Sequence, residues 1–112
     1  MLKRQNRINR KLFQSILKKS KIYSDDFFTV RFLQDGGSFP RAAVSVSKKV
    51  STLAVARNLM RRRVIAILER HLANIKKNSS ILLFPKKTTA DLSFEALERE
   101  ILHLLKKIGL LL

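Results

Sequence analysis

From Gly36 to Leu68 the chain carries no acidic residue, yet Leu53, Ala56, Met60, Val64, Ile67 and Leu68 recur there at helical spacing. No other feature constrains the fold as strongly. A helix with a single apolar stripe must bury that stripe against another element, and burial fixes the opposite face outward. At about 3.6 residues per turn, Asn58, Arg62 and Glu69 fall opposite the stripe, Arg61 lies on its shoulder, and Arg57 and Arg63 flank it. Positive charge is thereby mounted on a rigid support. Ser51 or Thr52 offers a hydroxyl to cap the start of this helix.

The stripe needs a partner surface, and the rest of the chain supplies strands. In FFTVRFL (27–33), Phe28, Val30 and Phe32 share one face, while Phe27, Thr29, Arg31 and Leu33 share the other. After the turn sequence QDGGSFP, the run RAAVSVS (41–47) places Ala42, Val44 and Val46 together. These two strands are expected to pair antiparallel. SILLFP (80–85) reads as a short apolar strand closed by proline. Two further helices flank the set. Leu12, Phe13, Ile16 and Leu17 recur over residues 10–20 behind a capping Asn9. Phe94, Leu97, Ile101, Leu104, Leu105 and Ile108 recur after Ser93, with Glu95 and Glu98 early and Lys106 and Lys107 late, as the helix dipole prefers. The order α-β-β-α-β-α predicts an α+β fold (an α/β sandwich): one domain over residues 1–112, a small central sheet with helices packed on it, and a flexible basic arm at residues 1–9.

Charge narrows the function. Against 24 Lys and Arg stand 8 Asp and Glu, a formal +16, so the folded chain is expected to rest on a polyanion. Residues 1–24 hold eight of the bases and no acid, while five of the eight acids lie between Glu69 and Glu100. One side is therefore far more positive than the other. Guanidinium groups fork onto phosphate oxygens, and Asn58 can both donate to and accept from a 2′-hydroxyl or base edge. Lys48 and Lys49 widen the field just ahead of the helix. A merely solvated helix face usually mixes signs at i±4, which this one does not. The chain has no cysteine, so thiolate metal sites and cysteine nucleophiles are excluded. No apolar run reaches the roughly 18 residues of a spanning helix, and the start is too polar for a secretory signal. An Arg-rich targeting peptide would fit that start by composition, but a core-facing helix follows at once. A cytoplasmic protein with no membrane partner is expected.

SVSKKV followed by AVARNLMRR resembles the RNR signature of the bacterial ribonuclease P protein component, roughly S-x-K-x…A-V-x-R-N-x-x-[KR]-R. The matching positions are Ser47, Lys48, Lys49, Ala54, Val55, Arg57, Asn58, Arg61 and Arg62. LFQSILKKSK is similar to the family's first helix, with Phe13 at its aromatic position, and the spacings to the strands and last helix also agree. The resemblance implies a protein subunit that binds a catalytic RNA, with the ribonucleoprotein removing the 5′ leader of precursor tRNA. It implies that the RNA performs the hydrolysis, that Mg²⁺ serves the holoenzyme while the protein alone binds no cofactor, and that a monomer joins the RNA one to one. It further implies a left-handed β-α-β crossover around the arginine helix, against the usual right-handed rule. Lys48, Lys49, Arg57, Asn58, Arg61, Arg62 and Arg63 would meet the catalytic RNA. Arg7, Phe13, Leu17, Phe27 and Arg31 would line a leader cleft between the first helix and the sheet. The chain departs from the family pattern at Leu59 and Ile65, where further bases are common, and at Arg31 and Leu17, where aromatics are common.

Other readings compete. Phe13 serves equally as core or as a stacking platform. His71, on the apolar stripe, and His103 have no carboxylate motif near them in sequence and read as structural. Asp25 and Asp26 read as surface acids at a strand start, and Gly36-Gly37 leads to Ser-Phe-Pro instead of a phosphate-binding helix. With acids dispersed and no nucleophile beside a base, catalytic and metal-ligating residues are both expected to be none. Three rivals remain: a small basic ribosomal protein on ribosomal RNA, a stand-alone metal-dependent nuclease and a DNA-architectural protein.

Overall fold

The computed structural model describes residues 2–112. Its elements are α1 (Arg10–Lys19), β1 (Lys21–Ser24), β2 (Phe28–Gln34), β3 (Arg41–Val44), α2 (Ala54–Arg70), β4 (Ser79–Pro85) and α3 (Phe94–Lys107). The four strands form one sheet in the order β1-β2-β4-β3. The fold is α+β, as the element pattern implies.

The expected pairing of the two early strands is wrong. β4 lies between them, antiparallel to β2 through Phe28↔Pro85 to Gln34↔Ser79 and parallel to β3 through Arg41↔Ser80 to Val44↔Leu83. The reason is burial. Ile81, Leu82 and Leu83 are apolar on both faces, and only a central position covers both. β3, α2 and β4 therefore make a crossover between parallel neighbours. β3 also ends at Val44, although Val46 beyond it is still buried. β1 was missed altogether: a short edge strand whose side chains are mostly exposed leaves no alternating apolar signal.

Register divides the sheet into two faces. Phe28, Val30, Ala42, Val44, Ile81 and Leu83 face α2 and α3, where Met60, Val64, Ile67, Leu68, Leu97, Ile101, Leu104 and Leu105 complete the main core. Of the predicted α2 stripe, Leu53 fails, being the N-cap residue and 68% exposed, and Ala56 is half-buried. The expected hydroxyl cap is also absent: Ser51 Oγ instead accepts from the Leu53 N–H, in the loop ahead of the helix. Caps elsewhere hold, with Asn9 Oδ1 accepting from Leu12 N–H and Ser93 Oγ from Ala96 N–H. α3 closes on Gly109 at φ +79, with Leu110 N–H bonded to Leu105 O and Gly109 N–H to Lys106 O. That is a Schellman ending, and it turns Leu110 back into the core.

α1 covers the opposite face, burying Ile16 and, from the sheet, Leu82. The chain reaches α1 from the β3 edge, where Arg7 bridges Ala42, and leaves it directly into β1 at the other edge. Ten helical residues rise about 15 Å, close to the roughly 14 Å across four strands. The described part of the basic arm does not project freely: Leu2 is buried, and buried Asn6 donates from Nδ2 to Pro40 O at 2.9 Å.

Candidate nucleic-acid interface

Burial of Met60, Val64, Ile67 and Leu68 turns the other side of α2 to solvent, so Asn58 and Arg62 are exposed and Arg61 and Arg63 half-exposed. Arg61 Nη1 donates to Asn58 Oδ1 at 2.6 Å, one turn away. The bond orients the guanidinium and leaves its remaining N–H groups, and the Asn58 amide N–H₂, open to a ligand. Arg57 Nη1 donates to Ser51 O at 2.9 Å, tying the first turn of α2 to the loop in front of it. Lys48 and Lys49 lie exposed in the turn closed by Val50 N–H to Ser47 O. Among the described residues no carboxylate pairs with Arg57, Arg61, Arg62 or Arg63. Among the described residues their charge is therefore uncompensated, and each can exchange solvent for a phosphate at little cost.

The second predicted group is only partly gathered. Arg31 lies on the α1 face of β2 and donates from Nη1 to Leu17 O at 3.3 Å, joining strand to helix. Leu17 is 42% exposed and Phe13 half-buried, so both keep part of their surface open to solvent on α1. Arg7 lies apart, at the β3 edge, with Nε bonded to Leu2 O. Phe27 also lies apart. It precedes β2, in a turn where Asp25 Oδ1 accepts the N–H groups of Phe27 and Phe28, and its side chain packs on the main core. The same bonds give Asp25 a structural task. One ring on the α1 face was not anticipated: Phe84, half-exposed and paired with Thr29. The uniformly apolar run of β4 hides which of its residues turn outward.

His71 meets a carboxylate that its sequence neighbours do not supply, in a structural role. Glu98 Oε2 accepts from His71 Nε2 and from Arg70 Nη1, both at 2.9 Å, linking the end of α2 to α3. The His71 hydrogen bond, reinforced by the Arg70 charge, holds the Glu98 carboxyl below its ordinary value. Helical spacing could not show this, because the partners are 27 residues apart. No helix among the described residues is long and apolar enough to cross a membrane.

The family model for Ribonuclease P matches residues 2–109. The chain belongs to the ribonuclease P protein family. Its relatives include the ribonuclease P protein component of Alkaliphilus oremlandii, 30% identical over 99 residues that cover 88% of this chain and 86% of that one. The Mycoplasma genitalium component is 31% identical over 88% of this chain and 77% of its own. In structure, the RNase P protein of Staphylococcus aureus superposes with a TM-score of 0.84 at 25% identity, covering 96% of this chain and 98% of that one. That of Thermotoga maritima gives 0.81 at 28%, covering 90% and 96%. Membership makes this chain a protein subunit of a ribonuclease P complex, with RNA as its partner.

Proposed function

We propose that the α2 face and the turn before it dock onto the catalytic RNA, while the surface where α1 meets the sheet holds the 5′ leader of precursor tRNA. The observation that carries this is the set of Arg57, Arg61, Arg62 and Arg63, paired with no carboxylate among the described residues, on a helix whose other side is locked in the core. On this reading the RNA performs the hydrolysis, and the protein screens phosphate repulsion between two polyanions and adds affinity for the leader. Lys48, Lys49 and Asn58 extend the RNA face; Phe13, Leu17 and Arg31 serve the leader, with Phe84 a further ring on the same side of the sheet.

Mg²⁺ belongs in this scheme to the holoenzyme. Among the described residues no three of His, Asp and Glu are grouped to hold a metal, and Asp25 already accepts two backbone N–H groups. The chain acts as one copy per RNA, in the cytoplasm. The test is cleavage of precursor tRNA by the catalytic RNA at low Mg²⁺, with and without this protein. A large gain only when both are present is the expected result. Cleavage by protein alone would instead place the chemistry on the protein, and no effect would refute the proposed assistance to the RNA.

A further inference from the structure

The outward ridge of α2 is not cationic throughout. Val55 is 81% exposed and Leu59 47% exposed, and they stand one turn apart, so their side chains adjoin. Asn58 and Arg62 share the ridge with them, with Arg61 and Arg63 to either side. A single exposed Val or Leu needs no explanation. An adjoining pair in the middle of a ridge of donors, on a helix without an acid before Glu69, does.

The surroundings select the occupant. A second copy of the chain would bring another +16 against the same ridge. An apolar protein groove would cover Asn58 and Arg62 without giving them acceptors, which is costly. Folded RNA supplies both needs: phosphate oxygens for the guanidiniums, and the flat apolar face of an unstacked base for the methyl groups between them. We propose that Val55 and Leu59 form an apolar seat for one unpaired nucleobase of the catalytic RNA, framed by the phosphate contacts of Arg61, Arg62 and Arg63. The proposal rests on the docking of α2 onto that RNA argued above. Such a contact releases no counterions, so its share of the affinity does not vary with salt. It also lets the ridge distinguish a site with an extruded base from continuous duplex.

The test compares wild type, the double variant Val55→Thr/Leu59→Gln, and Arg62→Ala. Threonine keeps the shape of valine and glutamine keeps helix propensity, so a thermal melt matching wild type establishes that the double variant is folded. Each protein is titrated against the ribonuclease P RNA of the same organism from about 50 to 200 mM salt. The double variant is expected to bind about tenfold more weakly at every salt concentration with an unchanged slope. An unpaired base shielded from chemical modification by wild type should become reactive with the double variant. Binding within about twofold of wild type would overturn the proposal, as would a deficit that shrinks with salt. Self-association of wild type, lost in the double variant at unchanged RNA affinity, would also overturn it and assign the pair to a second copy. If Arg62→Ala is silent as well, the docking of α2 itself fails; if Arg62→Ala alone weakens binding, only the apolar seat does.

Discussion

Replacing Arg62 with alanine isolates one guanidinium. Arg62 is exposed, and the hydrogen bonds and ion pairs of the described residues leave it without an internal partner. Alanine is the best helix former, so the change orphans nothing and leaves folding intact. Six cations make up the proposed RNA face: Lys48, Lys49, Arg57, Arg61, Arg62 and Arg63. If each neutralises one phosphate at about 0.7–0.9 per contact, log Kd should vary with log salt at a slope near 4 to 5.5. A rise from about 50 to 200 mM then weakens wild-type binding by roughly 300- to 2,000-fold, but Arg62→Ala by only about 130- to 500-fold. The affinity gap between the two proteins should therefore close about threefold over that range. Filter binding or fluorescence titration against the catalytic RNA at four or more salt concentrations reads this directly. Arg62→Lys should keep the slope and lose part of the affinity, because an ammonium retains the charge without the fork. Parallel lines for wild type and Arg62→Ala would refute the phosphate contact, even if the variant binds more weakly.

Two other expectations concern different parts of the molecule. Phe13→Ala should cost about 1–3 kcal/mol of binding for a precursor carrying its leader and nothing for leaderless tRNA; equal losses would make Phe13 a core residue only. Glu98→Gln should lower the melting temperature at neutral pH. The folded carboxyl is held below its ordinary value, first by the His71 hydrogen bond, so its stabilising contribution is present above the unfolded pKa and disappears as pH falls through the lowered one. The melting curves of wild type and variant should thus converge in acid, and a constant offset across pH would refute the linkage.

The helices were legible because their determinants are local. Asn9 and Ser93 cap within three residues of themselves, and the stripes of α2 and α3 repeat within a few turns. The exposed arginine face follows from the same periodicity, since burying one side of a helix settles the other. Where a local rule failed, at the start of α2, two hydroxyls stood within reach and neither caps the helix from its N-cap position, which Leu53 occupies.

The amino-acid sequence by itself determined three amphipathic helices, the two-sided alternation of β2 and the cationic ridge. Only the tertiary structure decided that β4 separates β2 from β3, that β1 forms an edge, that α1 takes the face opposite α2 and α3, and that Arg31 reaches Leu17 while Phe27 does not join them. It also brought Glu98 to His71. A period of two states which side chains share a face and is silent about which strand lies alongside. Neighbours across a sheet are chosen by total burial over the whole chain, and that quantity exists only once every element is in place.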